Sequence, residues 1–347
     1  MRPLISFVLI SFNQERFIRE AVEGAFSQTY TPLEIILSDD TSSDHSFKIM
    51  EELSKSYKGK HKLLLNKNAN NLGIGGHINK IMELSSGELV VIAAGDDISL
   101  PARVEKIHIA YKVSGGKAIS IFSNYIKIDA DGKEIGIKYN KGFPDGYFLP
   151  KNIIERNSLL PGCTHAWHKN NFRIFGDIIT PLTCEDMVIP FRSSLIGNIK
   201  YISEPLVKVR HHQNNIWLYD QAKNITYDVK KEIKKEMEHQ RIWAYERRNI
   251  FINRLKDIQI AKKLYTTPSD DIYFLENVIR KHILSLEEDI SLYNSGFFNR
   301  LRIIFFGSIR KPKISKLRNK IGVFLVPWIY KEYRYLKYKM STLRNIT

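Results

Sequence analysis

Val90-Val91-Ile92-Ala93-Ala94-Gly95-Asp96-Asp97-Ile98-Ser99-Leu100-Pro101 is the stretch whose reading decides the fold. An apolar run of strand length stops at two adjacent carboxylates, and a proline follows. Val, Ile and Ala without polar alternation suit a strand buried on both faces, the habit of parallel sheets. Aspartates at the end of such a strand put hard oxygen ligands at the carboxyl edge, where open α/β sheets bind their ligands. A carboxylate there can hold Mg²⁺ or Mn²⁺ together with water and substrate phosphate oxygens. Alone, the pair reads equally well as solvated turn acids, since Asp is a common turn residue. The flanking sequence decides between them.

Upstream, strand-like and helix-like stretches alternate. Residues 5–12 precede Phe17, Ile18, Ala21, Val22, Ala25 and Phe26, which recur at helical spacing. Residues 34–38 form a second strand ending in Asp39-Asp40, and Thr41-Ser42-Ser43-Asp44 supplies turn and capping chemistry for the next helix. A third strand over 62–65, a glycine-rich loop over 70–76 and a helix through Ile78, Ile81, Met82 and Leu84 lead back to the central strand. This βαβ succession predicts an α/β, Rossmann-like fold with a mostly parallel sheet flanked by helices.

Downstream the pattern loosens. A helix is expected over 102–113, a strand over 118–122, and a hairpin joining 125–129 to 134–137 through Asp131-Gly132. Glu185-Asp186 precedes Met187, Val188, Phe191, Leu195 and Ile196 at helical spacing. The strand over 201–209 carries Pro205, which predicts an edge position. Basic helix is expected over 225–264 and a further helix over 271–285.

Charge divides the chain. Residues 1–222 hold 26 Lys+Arg against 24 Asp+Glu, whereas 223–347 hold 27 against 13. We therefore expect a near-neutral catalytic domain over 1–220, with halves of about 1–100 and 101–220, and a helical, basic region over 221–347. The two cysteines offer neither a disulfide framework nor zinc spacing, which suits a reducing compartment. No cleavage site follows residues 5–12, and no apolar run approaches the length of a membrane span. A cytoplasmic protein is expected.

Ser11-Phe12-Asn13 with Glu15, Asp39-Asp40 and Asp96-Asp97 all follow expected parallel strands, so they should meet at one edge. Such a crowd of acids calls for compensating charge, which a divalent cation with a bound diphosphate supplies. Gly73, Gly75 and Gly76 either cradle phosphate or only serve the loop. They follow the third strand and are not G-x-G-x-x-G, which argues against an NAD-binding Rossmann domain.

These blocks, taken in order, resemble the family 2 glycosyltransferases, inverting enzymes of GT-A fold, including those of bacterial polysaccharide biosynthesis. The resemblance rests on the opening strand with Asn13 and Glu15, Ser27-Gln28-Thr29-Tyr30, and residues 36–44. It continues through Asn71-Leu72-Gly73, Ser86-Gly87-Glu88, Gly95-Asp96-Asp97 with Pro101, Glu185-Asp186, and Arg210 with His212. It covers residues 3–215. It implies that Ser11, Phe12, Glu15, Asn71, Gly73 and Asp96 surround a nucleotide sugar and that Asp40 accepts from its nucleobase, typically uracil. It further implies that Asp96 and Asp97, with His212, meet Mn²⁺ or Mg²⁺. Asp186, beside Glu185, resembles the general base; His212 is equally readable as structural. Ala94 replaces the first aspartate of D-x-D, which leaves open which carboxylate meets the metal. Gly76-His77-Ile78-Asn79 replaces Ala-Arg-Asn, so a phosphate-binding arginine is absent there or replaced, His77 being one substitute.

From residue 290 onward there are 13 basic residues and one acid, Glu332, interleaved with aromatics. That composition suits an anionic membrane surface, with packing on protein as the other reading. The expectation is thus a metal-dependent enzyme moving sugar from a UDP-sugar to a glycan or lipid-linked acceptor, at the inner face of a bacterial membrane. The alternative is a nucleic-acid-binding protein with a basic aromatic arm. It predicts a basic body too, and the near-neutral body makes nucleic acid an unexpected partner.

Overall fold

The computed structural model describes residues 2–139, 150, 153–154, 160–181, 184–212, 229–264 and 270–295. The chain forms two compact units. The first takes Met1–Ala222 together with Ile252–Ile279, and the second takes Lys223–Phe251 and Arg280–Thr347.

The first unit is built on one sheet. Its opening strands are β1 (Ile5–Ser11), β2 (Leu33–Asp39), β3 (Lys62–Lys67) and β4 (Leu89–Ala94). Helices α1 (Ile18–Phe26), α2 (Ser46–Ser56) and α3 (Gly73–Leu84) connect them. After β5 (Ile98–Ser99) and α4 (Arg103–Val113) come β6 (Ala118–Ile128), β7 (Glu134–Lys138), β8 (Ala166–His168), α5 (Asn170–Phe175), α6 (Ile189–Ile196) and β9 (Asn198–Arg210). The strand order is β3-β2-β1-β4-β8-β6-β9-β5, with β7 paired to β6. β3, β2, β1 and β4 run parallel, as their apolar runs predict. Beyond β4 the sheet is mixed, because β8 is antiparallel to both β4 and β6 while β6 and β9 are parallel.

Burial explains the absence of alternation in these strands. Phe7, Leu9, Ile35, Leu37, Val91 and Ala93 pack with Ile18, Ala21, Val22 and Ala25 of α1 and Val104 and Ile107 of α4. Val8, Ile36, Val90 and Ile92, which alternate with them, are buried as well. Each such aliphatic side chain contributes about 1.5–3 kcal/mol by leaving water. A charge at position 8 or 91 would therefore break the sheet.

One expectation is corrected. In strand order β9 is not an edge, since it sits between β6 and β5. β5 covers only Val207 and Lys208, however, and Pro205 itself is paired on the β6 side alone. The missing N–H is tolerated because Pro205 faces Asn124 where the β6–β9 register shifts, and ladder bonds are interrupted at such a bulge. The glycine-rich loop is also shorter than expected, since α3 begins at Gly73 itself, whose φ of +66° favours a residue without Cβ.

Two long helices, α7 (Val229–Leu264) and α8 (Asp270–Asn294), are each shared between the units. Within the second unit, Phe251 stacks on His282 at 4.6 Å between ring centroids, and Tyr293 donates to Gln240 Oε1 at 3.0 Å. Among the described residues no helix is long and apolar enough to cross a membrane. The basic aromatic segment 296–347 lies outside the described residues.

Candidate active site

Parallel register brings the expected clusters to one edge. Ser11 pairs with Asp39, and Ile10 with both Ser38 and Ala94, so β1, β2 and β4 end side by side. Main-chain bonds continue the edge beyond the strands: the Asp40 N–H donates to Ser11 O, and the Gly95 N–H to Ile10 O, both at 2.9 Å. Ser11 is buried, and its hydroxyl has no protein partner among the described residues. Phe12 is exposed beside it.

Asp40 is held from behind. Its Oδ1 accepts from Asn68 Nδ2 at 2.8 Å and from the Leu72 N–H at 2.9 Å. Asn66 donates to Asn68 Oδ1 and to Ser38 Oγ, and Ser38 bonds His77 Nε2 at 2.7 Å. His77 is thus buried within this support, and burial lowers its pKa against the pull of Asp40 and Asp39. Asn71 Oδ1 accepts from the Gly73 N–H at 2.9 Å, shaping the start of α3. Glu15 turns toward α2 instead: its carboxylate accepts from the His45 N–H and meets His45 Nδ1, which keeps its pKa low.

The paired aspartates face different ways. Asp96 Oδ2 lies 3.1 Å from His212 Nε2, and the His212 ring packs on Phe17 at 4.7 Å. Asp97 is buried, and its Oδ1 accepts from the Arg210 N–H at 2.9 Å. Desolvation, then the Asp96 charge, pushes the Asp97 pKa well up. Arg103 is fully buried nearby, donating to Ser99 Oγ, Ile92 O and Cys163 O. Burial brings its pKa down to about 10 against the pull of Cys163 and Asp97.

Cys163 stands on the turn Gly162–Thr164, its carbonyl held by Arg103. Desolvation raises its thiol pKa, and the carboxylates of Asp97, Asp96 and Asp186 add to the rise. Glu185 and Asp186 stand on a short 3₁₀ turn, Glu185–Met187, against the turn Gly162–Thr164. A Cβ on Gly162 would meet Glu185 Oε1 at 2.7 Å, so the Glu185 carboxylate lies directly against that turn. Desolvation pushes the Glu185 pKa up to about 7. Desolvation and then the Glu185 charge raise Asp186, while Arg254 pulls it down.

Ser11, Asp40 and Asp96-Asp97 thus stand at one strand edge with His212 against Asp96, whereas Glu15 turns toward α2 and Glu185-Asp186 stand on a separate turn. Arg103, Cys163 and Arg254 were missed. Arg103 read as an ordinary helix residue and Cys163 as a lone thiol; Arg254 lay in a helix legible only as basic.

A family model described as Glycosyl transferase family 2 matches residues 6–176. Over that stretch the chain is a family 2 glycosyltransferase sequence. An uncharacterised glycosyltransferase of Haemophilus influenzae is 25% identical over 301 residues, 82% of this chain and 87% of its own. A Mycobacterium tuberculosis protein is 25% identical over 219 residues, and there the chain spans only 60% of the relative's length. Among solved structures, S. aureus TarS residues 1–349 in complex with UDP-GlcNAc gives a TM-score of 0.55 at 16% identity, covering 95% of this chain and 91% of that fragment. The glycosyltransferase fold thus extends over the described chain, while the family match stops nine residues before Glu185.

Proposed function

We propose that this family 2 glycosyltransferase moves a sugar from a UDP-sugar to a hydroxyl of a glycan or lipid-linked saccharide, by a single inverting displacement. The observation that carries the reading is the parallel register that ends β1, β2 and β4 side by side, which puts Ser11, Asp40 and the Asp96-Asp97 pair at one edge. Ser11 and Asp40 would hold the nucleoside, Asp40 accepting from uracil N3–H while Asn68 and Leu72 fix its other side. Asp186 would take the acceptor's proton as the hydroxyl attacks the anomeric carbon; a raised carboxyl pKa suits a base near neutral pH. Inverting transfer requires no second acid on the leaving group's side.

The donor set fits a divalent cation that the substrate completes. Among the described residues no three His, Cys, Asp or Glu side chains are grouped to hold a metal by themselves. Asp96 and His212 nevertheless face one another, and Mg²⁺ or Mn²⁺ commonly takes one or two protein ligands plus water and phosphate oxygens. We assign Asp96 and His212 as the protein's ligands, with Asp97 behind them. A cation bound there would stabilise charge on the departing diphosphate.

Calorimetric titration with UDP, GDP and NAD, in Mn²⁺ and then in EDTA, tests the reading. UDP binding that vanishes with EDTA and in Asp96→Asn supports it. No UDP or GDP binding with any metal sinks it.

We also propose that the basic C-terminal region rests on an anionic membrane surface, as its Lys, Arg and aromatic composition supports. The check is co-sedimentation with phosphatidylglycerol vesicles but not with phosphatidylcholine vesicles. Equal binding to both overturns it.

A further inference from the structure

Four residues of α7 grip the segment that carries Glu185 and Asp186. Asn253 Oδ1 accepts from the Ile179 N–H at 2.8 Å, and Asn253 Nδ2 donates to Ile179 O at 3.1 Å. Lys256 donates to Asp177 O at 3.0 Å. Asp257 accepts from Arg192 Nε through both carboxylate oxygens, at 3.1 and 3.0 Å, with both side chains fully buried. Arg254 donates to Met187 O from Nε at 3.1 Å and from Nη2 at 2.7 Å, and its guanidinium lies over the Phe191 ring at 5.5 Å. Met187 ends the 3₁₀ turn that begins at Glu185. One arginine therefore holds the carbonyl end of the turn by two bonds.

We propose that Arg254 is the positioning residue of the Glu185–Asp186 pair: its two bonds to Met187 O fix the turn and bring a buried guanidinium to the segment that carries both carboxyls. The catalytic importance of this device rests on the reading of Asp186 as the general base. It lies outside the part of the chain matched by the family model, which ends at residue 176.

The physical argument is one of competing charges at a desolvated site. Two adjacent carboxyls in such a place repel one another and hold protons too tightly to act as a base. A fixed cation reverses part of that effect without touching substrate. Among the described residues, few charged groups act on Asp186. Desolvation and then Glu185 on the same turn raise its pKa, and a backbone N–H and then Arg254 lower it; the Asp186 charge in turn raises the thiol of Cys163, on the turn Gly162–Thr164. α6 contributes Arg192, whose charge is paired with Asp257. α3 also borders the turn, but its His77 bonds Ser38 and its Lys80 bonds Glu83. Arg254 is thus the cation assigned to Asp186.

The test is a carboxyl titration by ¹³C NMR on the full chain labelled at Asp and Glu, with the Asp186 signal assigned through Asp186→Asn. It needs no ligand, so its failure is separable from a failure to bind UDP. Arg254→Gln keeps a donor for Met187 O but removes the charge; its Asp186 midpoint should move to higher pH. Arg254→Lys should restore the wild-type midpoint at least in part. In the unaltered chain, the Arg254 Nε–H resonance should shift with the same midpoint as Asp186, which covers the case in which Arg254→Gln does not fold. An unmoved midpoint in folded Arg254→Gln overturns the proposal. So does an Arg254 resonance that ignores the Asp186 titration.

Discussion

The main-chain N–H of Arg210 donates to Asp97 Oδ1 at 2.9 Å, joining positions 113 residues apart. The last residue of β9 thereby closes over the loop that ends β4. The Arg210 side chain extends the closure, donating to Asp96 O at 3.1 Å, to Ala130 O at 3.1 Å and to Glu20 Oε2 at 3.0 Å. The hairpin tip, α1 and the paired aspartates are tied to one guanidinium.

Replacing that guanidinium should loosen all three. Arg210→Met is expected to destabilise the chain by about 2–4 kcal/mol, since it leaves buried carbonyls unsatisfied. A urea midpoint equal to that of the unaltered chain would contradict the assignment.

Asp40 presents Oδ1 to its supports, and in the proposed reading its carboxylate also accepts from the nucleobase. Asp40→Asn should weaken UDP binding about tenfold or more, the value of a hydrogen bond to a charged group, with Tm changed far less. Calorimetry and a thermal melt on the same sample separate the two effects.

The carboxyl pair predicts a pH dependence. A general base must be deprotonated, so kcat should rise with pH through the neutral range, where Glu185 is pushed up to about 7. Glu185 raises Asp186, so Glu185→Gln should move the rising limb to lower pH. The linkage has the opposite face. A carboxyl whose folded pKa lies above its unfolded value costs stability as pH climbs from about 4 to the folded value. Glu185→Gln should therefore melt at least about 2 °C higher than the unaltered chain at pH 8, with no difference at pH 4.

The Arg192–Asp257 pair is fully buried on both sides. Burial pushes Asp257 up to about 6 even beside that arginine. Asp257→Asn leaves a buried guanidinium without its carboxylate and should cost about 3–5 kcal/mol. A urea midpoint within error of the unaltered chain would show the pair to be dispensable.

Where local pattern and tertiary role coincide, the sequence was readable. Val90–Ala94, apolar without alternation, became a central parallel strand, and the acids after β1, β2 and β4 share one edge because parallel register leaves them no other place. Pro205 misled, because the rule that sends proline to an edge yields at a register shift that only pairing with β6 creates. Arg103, Cys163 and Arg254 could not be read, for their meaning lies in distant partners: Ile92, Asp97 and Met187. Nothing in the spacing of a basic helix says which arginine will be buried against a carbonyl 67 positions earlier.

The catalytic unit is discontinuous in the chain, and that orders its birth. When residue 222 has left the ribosome, every strand has been synthesised, yet Arg192 must wait 65 positions for Asp257 and the Glu185–Met187 turn must wait for Arg254. Until helix α7 arrives, the nascent chain lacks the carboxylate that pairs with Arg192. Translation, by its direction, makes the Glu185–Met187 turn the last of these parts to be secured.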